Sequence, residues 1–506
     1  MRGLKYHLTA VFCKFIFKIN KYGDSMPIIG REKEKAELER LYESNRAEFV
    51  AIYGRRRVGK TYLIDETFTD RITFRHAGLS PIELGHSPEI RPIKLQLQAF
   101  YFSLLRHGMK KSHCPKDWLE AFFMLSNHLQ NIDDGSRQLV FIDELPWLDT
   151  PKSGFITGLE AFWNGWACSR HNLMLVICGS ANSWILDKLI NNHGGLYGRL
   201  TYQIRLSPFS LKECEEFFAS KEINLSRYDI IQSYMIVGGI PYYLNYFQRG
   251  KSLAQNIDDL FFTKNAKLSY EYDRLFASIF SNPDTMKTII EVLSRKSAGF
   301  TKKEISQKTG LSDNGTLTDE LKALISSDFV LKYFPFGIKR AEAHYKLIDP
   351  FCLFNLHFVH GKTELDSNFW MNSFSSGQVV AWRGYAFENV CFNHIDQIKQ
   401  ALGISGVSTS QSSWSKRADD TEGTQIDLLI VRRDNVVNMC EIKYCDDLFA
   451  IDLEYDRKLR HRQALLHELL PKKFAVHNTL ITTFGADRNT YWSIFDQIVI
   501  MDDLFK

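Results

Sequence analysis

A chain of 506 residues exceeds what one hydrophobic core can organise, so roughly two to four domains are expected. Its 44% hydrophobic and 24% charged residues are those of an ordinary globular protein and exclude a disordered, fibrous or solenoid architecture. The net charge of +4 is too small to argue for nucleic acid by itself, and nine scattered cysteines without zinc or disulfide spacing read as free thiols in a reducing compartment.

Residues 1–26 read as an extension preceding the first domain. The apolar run 8–17, broken by Lys14, is too short to span a bilayer and lacks a small-residue cleavage site. Met26 directly precedes Pro27, where a compact domain is expected to begin. No other stretch has the length and apolarity of a transmembrane helix, so the expected location is the cytoplasm, with no membrane partner.

Residues 49–53 form a short apolar, strand-forming run. Gly54-Arg55-Arg56-Arg57-Val58-Gly59-Lys60-Thr61 and a helical pattern at 62–68 follow it. This is strand, GxxxxGK[ST], helix in the order that a phosphate-binding loop requires. Glycines allow the backbone N–H groups to curl around phosphates, and the helix N-terminus adds a positive dipole end. Lys60 is placed for the β- and γ-phosphates of ATP and Thr61 for magnesium. Arg55, Arg56 and Arg57 are candidates for neutralising phosphate, or else a solvated basic turn.

Residues 138–144 read as a buried parallel strand ending in Asp143 and Glu144. Asp143 stands where a carboxylate would hold the magnesium shell, and Glu144 where a general base would polarise the attacking water. A third strand at 173–179 is followed by Ser180 and Asn182, either of which can sense the γ-phosphate from between the two preceding strands. A simple helix cap is the alternative. Arg199 is the candidate for transition-state charge, with a surface ion-pair residue as its alternative.

The set Ile29-Gly30-Arg31-Glu32, the loop 54–61, Ile142-Asp143-Glu144-Leu145-Pro146-Trp147, Cys178-Gly179-Ser180, Leu196-Tyr197-Gly198-Arg199 and Gly238-Gly239-Ile240-Pro241-Tyr242-Tyr243-Leu244 resembles the archaeal-type ATPases. These are a branch of the STAND/AAA+-like P-loop class. The resemblance implies a RecA/AAA+-like parallel sheet with a helical lid over residues 27–280. It also implies ATP rather than GTP, in keeping with the absence of a guanine-reading NKxD motif.

From about residue 281 the pattern changes. Helices are expected at 285–293, from Thr301 with a capping-box signature, and at 314–325, followed by two strands at 329–334 and 343–348. That order is a winged helix, assigned to residues 281–362. Its candidate recognition helix carries Asp313, Asn314, Asp319 and Glu320 and only one basic residue, Lys322. Lys302, Lys303, Lys339 and Arg340 remain as backbone contacts for double-stranded DNA, and docking to a protein partner is the alternative.

Residues 363–506 are assigned to a C-terminal α/β domain. Glu388 lies on a helix around 384–390, Asp427 on a strand at 424–431, and Glu441 and Lys443 on a strand at 436–443. A hairpin centred near residue 434 sets Asp427 opposite Glu441, and Lys443 shares that face. Two carboxylates and a lysine form the donor set of a magnesium-dependent nuclease. These segments resemble the PD-(D/E)xK restriction-endonuclease-like superfamily, with Gln425-Ile426 departing from the proline that precedes its first aspartate. Lys416, Arg417, Arg432, Arg433 and the basic run 457–462 suit a phosphate-lined surface, or a solvated helix face. The expected function is a magnesium-dependent ATPase acting as a switch or motor. The alternatives are an ATP-regulated DNA endonuclease and a non-catalytic nucleotide-dependent scaffold.

Overall fold

The computed structural model describes residues 28–80, 91–180, 182–191, 194–280, 282–336, 342–362, 366–416 and 424–506. The expectations for residues 1–26 and for the side chains of Lys339, Arg340, Lys416 and Arg417 lie outside the described residues.

Five strands, β1 (Glu48–Tyr53), β2 (Ile72–Ala77), β3 (Gln138–Asp143), β4 (Leu173–Gly179) and β5 (Tyr202–Arg205), form a sheet of order β2-β3-β4-β1-β5. Every neighbouring pair is parallel. Alternate residues feed two separate cores: Val50, Ile52, Phe141 and Val176 pack on one face, and Phe49, Ala51, Val140 and Leu175 on the other. A parallel sheet covered on both faces needs apolar side chains at consecutive positions, which is why β1, β3 and β4 read as unbroken hydrophobic runs. β4 lies between β3 and β1, so the ends of the three strands converge at one edge.

Helices Leu211–Ser220, Arg227–Val237, Leu253–Phe261 and Glu271–Ile279 follow. The first three open on reciprocal capping boxes at Ser210/Glu213, Ser226/Asp229 and Ser252/Gln255. Gly239 sits against the segment that leaves β5: its carbonyl accepts from Phe209 N–H at 2.6 Å, and a Cβ there would meet Phe209 O at 1.9 Å.

Helices Pro283–Leu293, Lys302–Thr309 and Gly315–Ser326 then combine with β6 (Phe300–Thr301), β7 (Val330–Tyr333) and β8 (His344–Leu347). The three strands form an antiparallel sheet of order β6-β8-β7. Thr301 and Glu304 make the expected capping box.

The last unit is a second five-stranded sheet of order β13-β12-β11-β10-β9. It comprises β9 (Thr409–Lys416), β10 (Thr424–Arg432), β11 (Val436–Lys443), β12 (Ala475–Thr482) and β13 (Gln497–Ile500). β9, β10 and β11 run antiparallel, while β11, β12 and β13 are parallel. Helix Leu453–Leu469 makes the crossover from β11 to β12, as parallel neighbours require. Helix Gly377–Asn393 packs beside β11.

These units are not beads on a string. One apolar core runs from Leu38 through the helical unit to Phe505. Buried His394 accepts from Leu211 N–H at 3.0 Å, its pKa held down at about 4 by burial. Asp258 receives Trp370 N–H at 2.8 Å. Among the described residues, no helix is long and apolar enough to cross a membrane.

Candidate nucleotide site and C-terminal acid site

The glycine-rich loop leaves β1 at Gly54 (φ 149°) and enters helix Lys60–Phe68 through Gly59 (φ 95°). Gly54 cannot carry a side chain, since a Cβ would lie 2.1 Å from Leu206 O. No side chain caps the helix at Gly59, which leaves its N-terminal N–H groups to the loop. Lys60 is buried and donates to the carbonyls of Gly54 and Arg55 at 2.9 and 3.0 Å. Burial pulls its pKa down, while Glu144 and Asp143 pull it up.

Thr61 Oγ1 donates to Asp143 Oδ2 at 2.8 Å, joining the loop to the end of β3. Burial, with help from the Glu144 charge, lifts Asp143 to a pKa of about 6. Glu144 adopts the left-handed conformation (φ 45°, ψ 45°), which non-glycine residues rarely occupy and which concentrates at functional turns. Its carboxylate receives the Ser180 hydroxyl at 2.8 Å from each oxygen and Ser180 N–H at 3.2 Å. Asn182 accepts from Gly54 N–H at 2.8 Å and donates to Ser326 O at 2.7 Å. Ser180 therefore positions Glu144, and Asn182 ties the loop to the end of helix Gly315–Ser326.

The three loop arginines have separate destinations. Arg55 is buried in an ion pair with Asp349, its guanidinium 4.9 Å from the Phe329 ring centre. Arg57 pairs with Glu271 and lies 4.2 Å from the Tyr242 ring centre, while Tyr243 Oη donates to Glu271 at 2.9 Å. Arg56 lies over Trp147 and holds its Nη1 buried without a hydrogen-bond partner. Val58 is buried in the core. Arg199 is exposed, and among the described residues no contact joins it to this cluster.

A buried lysine, a serine-held carboxylate, a Thr–Asp pair and an uncapped helix N-terminus gathered on one sheet edge define a P-loop ATPase domain. In agreement, residues 28–247 match a family described as an ATPase domain predominantly from Archaea. An uncharacterized protein of Methanocaldococcus jannaschii, MJECL04, is 24% identical over 422 residues, covering 83% of this chain and 88% of that protein. Among solved structures, the Walker-type ATPase PABY2304 of Pyrococcus abyssi is similar at 18% identity and a TM-score of 0.43, over 65% of this chain and 96% of that one. The Aeropyrum pernix ORC2 protein, solved in ADPNP–ADP complexes, is similar at 12% identity and a TM-score of 0.40, over 67% and 95% of the two chains.

In the C-terminal unit, the β10–β11 register pairs Leu428 with Cys440 and Val431 with Val437. The ladder ends at Leu428–Cys440, and Asp427 and Glu441 are the residues that follow just beyond it on the two strands. The β9–β10 ladder is irregular between Ile426 and Leu429. Such bulges re-aim the side chains they bracket, here Asp427. Glu441 is buried and fully engaged: Tyr455 Oη and Lys443 Nζ meet Oε1, the latter at 2.9 Å, and Arg462 donates to Oε2 at 2.6 Å. Burial lowers the Lys443 pKa but is outweighed by Glu441 and Tyr455, so the net shift is upward.

Asp427 and Glu388 instead line a cavity of 430 Å³ between β7, β8 and the second sheet. Burial and the neighbouring Glu388 and Glu441 charges push Asp427 up to about 7. Lys346 of β8 reaches into the same cavity, 3.4 Å from Glu388 Oε2. Among the described residues, no three His, Cys, Asp or Glu side chains stand close enough to hold a metal ion together.

Of the basic candidates, Arg432 pairs with Asp434, Lys458 with Glu454 and Arg460 with Asp456. In the middle unit, Lys302 pairs with Asp313 and Lys322 with Asp319. Lys346, Asp349, Glu271 and Tyr455 help to carry the two sites and are not singled out by any motif, while Arg462 is marked only as part of the basic run 457–462. Lys346 leaves a faint trace, as a charged residue between Tyr345 and Leu347 in a buried strand.

Proposed function

We propose that this chain is a magnesium-dependent ATPase whose nucleotide state is transmitted to the units that follow the P-loop domain. The observation that carries this reading is the Thr61–Asp143 contact beside a Glu144 carboxylate held by Ser180. Thr61 and Asp143 would hold magnesium, which supplies charge neutralisation to the β- and γ-phosphates when bound. The site fits that ion, because a carboxylate lifted to about 6 by burial is relieved by a cation. Lys60 exchanges the carbonyls of Gly54 and Arg55 for phosphate oxygens, and Arg56 Nη1 supplies a donor already free of partners. Glu144 orients the attacking water and accepts its proton, while Ser180 fixes the carboxylate in place. A glutamate so held is superfluous for nucleotide binding alone, which disfavours the scaffold reading.

The middle unit has the element order of a winged helix, and Asn182–Ser326 and Arg55–Asp349 connect it to the loop. We read double-stranded DNA as its target. The decisive experiment is steady-state ATP hydrolysis by wild type and Glu144→Gln, with and without double-stranded DNA. Glu144→Gln should keep ATP affinity and lose at least about a hundredfold in kcat, and DNA should raise wild-type turnover. Unimpaired turnover in the variant would refute the base, and indifference to DNA would shift the target to a protein partner.

A second reading, a metal-dependent nuclease in the C-terminal unit, is favoured by one observation: Asp427 and Glu388 line one cavity beside the engaged Glu441–Lys443 pair. Asp427 and Glu388 would hold the divalent ion, and burial together with neighbouring carboxylates, which raise Asp427 to about 7, fits a place for positive charge. Lys443, held by Glu441, would stabilise charge on the scissile phosphate.

A further inference from the structure

We infer that Lys346 is a tethered cation standing in the place of a divalent ion beside Glu388 and Asp427, so that the C-terminal acid site takes up metal only when β8 withdraws. This inference rests on the nuclease reading of that site and adds to it a built-in block.

Lys346 belongs to the sheet of the middle unit, whereas Glu388 and Asp427 belong to the C-terminal unit. It is only 4% exposed, with its ammonium 3.4 Å from Glu388 Oε2 and 4.4 Å from the Phe392 ring centre. Burial pulls its pKa down, and the Glu388 and Asp427 charges oppose that pull. Lysine is rarely buried so completely, because stripping its ammonium of water is costly unless opposite charge is close by. An apolar residue would serve β8 better if packing were all that mattered. What the position supplies instead is one positive charge at two half-buried carboxylates, the service that a metal ion renders in such a site.

The same segment reaches the nucleotide loop. Three residues beyond Lys346, Asp349 forms the buried ion pair with Arg55 of the P-loop. A phosphate that draws Arg55 away from Asp349 releases the end of the segment whose other end plugs the acid site. The Asn182–Ser326 bond anchors the same middle unit to the loop through a second point. The block is thus mechanically joined to the part of the protein that nucleotide occupies.

The test is a titration of the nucleotide-free full chain with Mn²⁺, followed by electron paramagnetic resonance and calorimetry. Wild type, Lys346→Met, Lys346→Arg and Lys346→Met/Asp427→Asn are compared, with circular dichroism to verify folding. Lys346→Met should show one Mn²⁺ site at least tenfold tighter than anything in wild type, lost again in the double variant. Lys346→Arg should titrate as wild type, since the charge remains. If Lys346→Met does not fold, Lys346→Gln takes its place in the same comparison. A folded, neutral Lys346 variant that binds no additional Mn²⁺ overturns the inference.

DNA cleavage in Mn²⁺ separates this outcome from the nuclease reading. Gained Mn²⁺ without cleavage by any variant leaves the tethered cation standing and removes the nuclease. Wild-type cleavage that needs Asp427, with no gain of Mn²⁺ on replacing Lys346, keeps the nuclease and removes the block.

Discussion

Replacing Asp349 by asparagine isolates the charge that anchors the P-loop to the rest of the chain. Asp349 Oδ1 caps helix Pro350–Phe358 by accepting from Cys352 N–H at 2.7 Å, and Oδ2 meets Arg55. Asparagine is as good a cap as aspartate, so Asp349→Asn keeps the first function and removes only the countercharge. The Arg55 side chain is 2% exposed and its Nε and Nη2 have no partner in the protein, so removing the carboxylate's charge leaves a buried guanidinium uncompensated. Orphaning one member of a buried ion pair costs about 3–5 kcal/mol, or roughly two to four orders of magnitude in the folding equilibrium. Asp349→Ala should lose about 1 kcal/mol more, through the cap. Arg55→Leu combined with Asp349→Asn should recover most of the loss, because the uncompensated charge is gone. Urea unfolding followed by tryptophan fluorescence measures all four proteins. A loss of about 1 kcal/mol or less in Asp349→Asn, the size typical of an exposed pair, would refute the reasoning. So would a double variant no more stable than the single one.

Two further outcomes are expected at the nucleotide site. Ser180→Ala strips both hydroxyl contacts from the Glu144 carboxylate and leaves the longer N–H contact. A hydrogen bond to a charged group is worth about 1.5–3 kcal/mol, so kcat should fall about ten- to a hundredfold with ATP affinity unchanged; an unaltered kcat would remove Ser180 from the site. Asp143 is lifted from 3.8 to about 6 in the folded protein, so folding binds a proton between those values. Its contribution to stability is therefore present at low pH and is lost as pH rises through about 6. Asp143→Asn should make the fall of stability with pH shallower in urea unfolding between pH 4.5 and 7, the part due to Asp427 remaining. Magnesium affinity of the nucleotide-free protein should move the opposite way, weakening below pH 6 as the carboxylate takes its proton. A pH-independent affinity would contradict the role given to Asp143.

How much of this was legible beforehand depends on the reach of each interaction. The loop from Gly54 to Thr61, the acidic end of β3 and the polar end of β4 are each written in a handful of consecutive residues. Strand, turn and helix termini are local matters of φ, hydrophobic periodicity and orphan N–H groups. The register of the β10–β11 hairpin is similarly local, because a short turn and a period of two determine it together. The capping box at Thr301 and Glu304 belongs in the same class.

The destinations of the charges were not legible. Arg55, Arg56 and Arg57 form one run in the sequence, yet two of them are claimed by Asp349 and Glu271, far away in the chain. Arg462 sits in a basic helix face like its neighbours, but it alone turns inward to Glu441. Lys346 bears no mark of the carboxylates it meets in another unit. A lone charge carries no sequence pattern to say whether water or a buried partner will receive it. That choice is made by desolvation, which depends on which surfaces the packed units bring together.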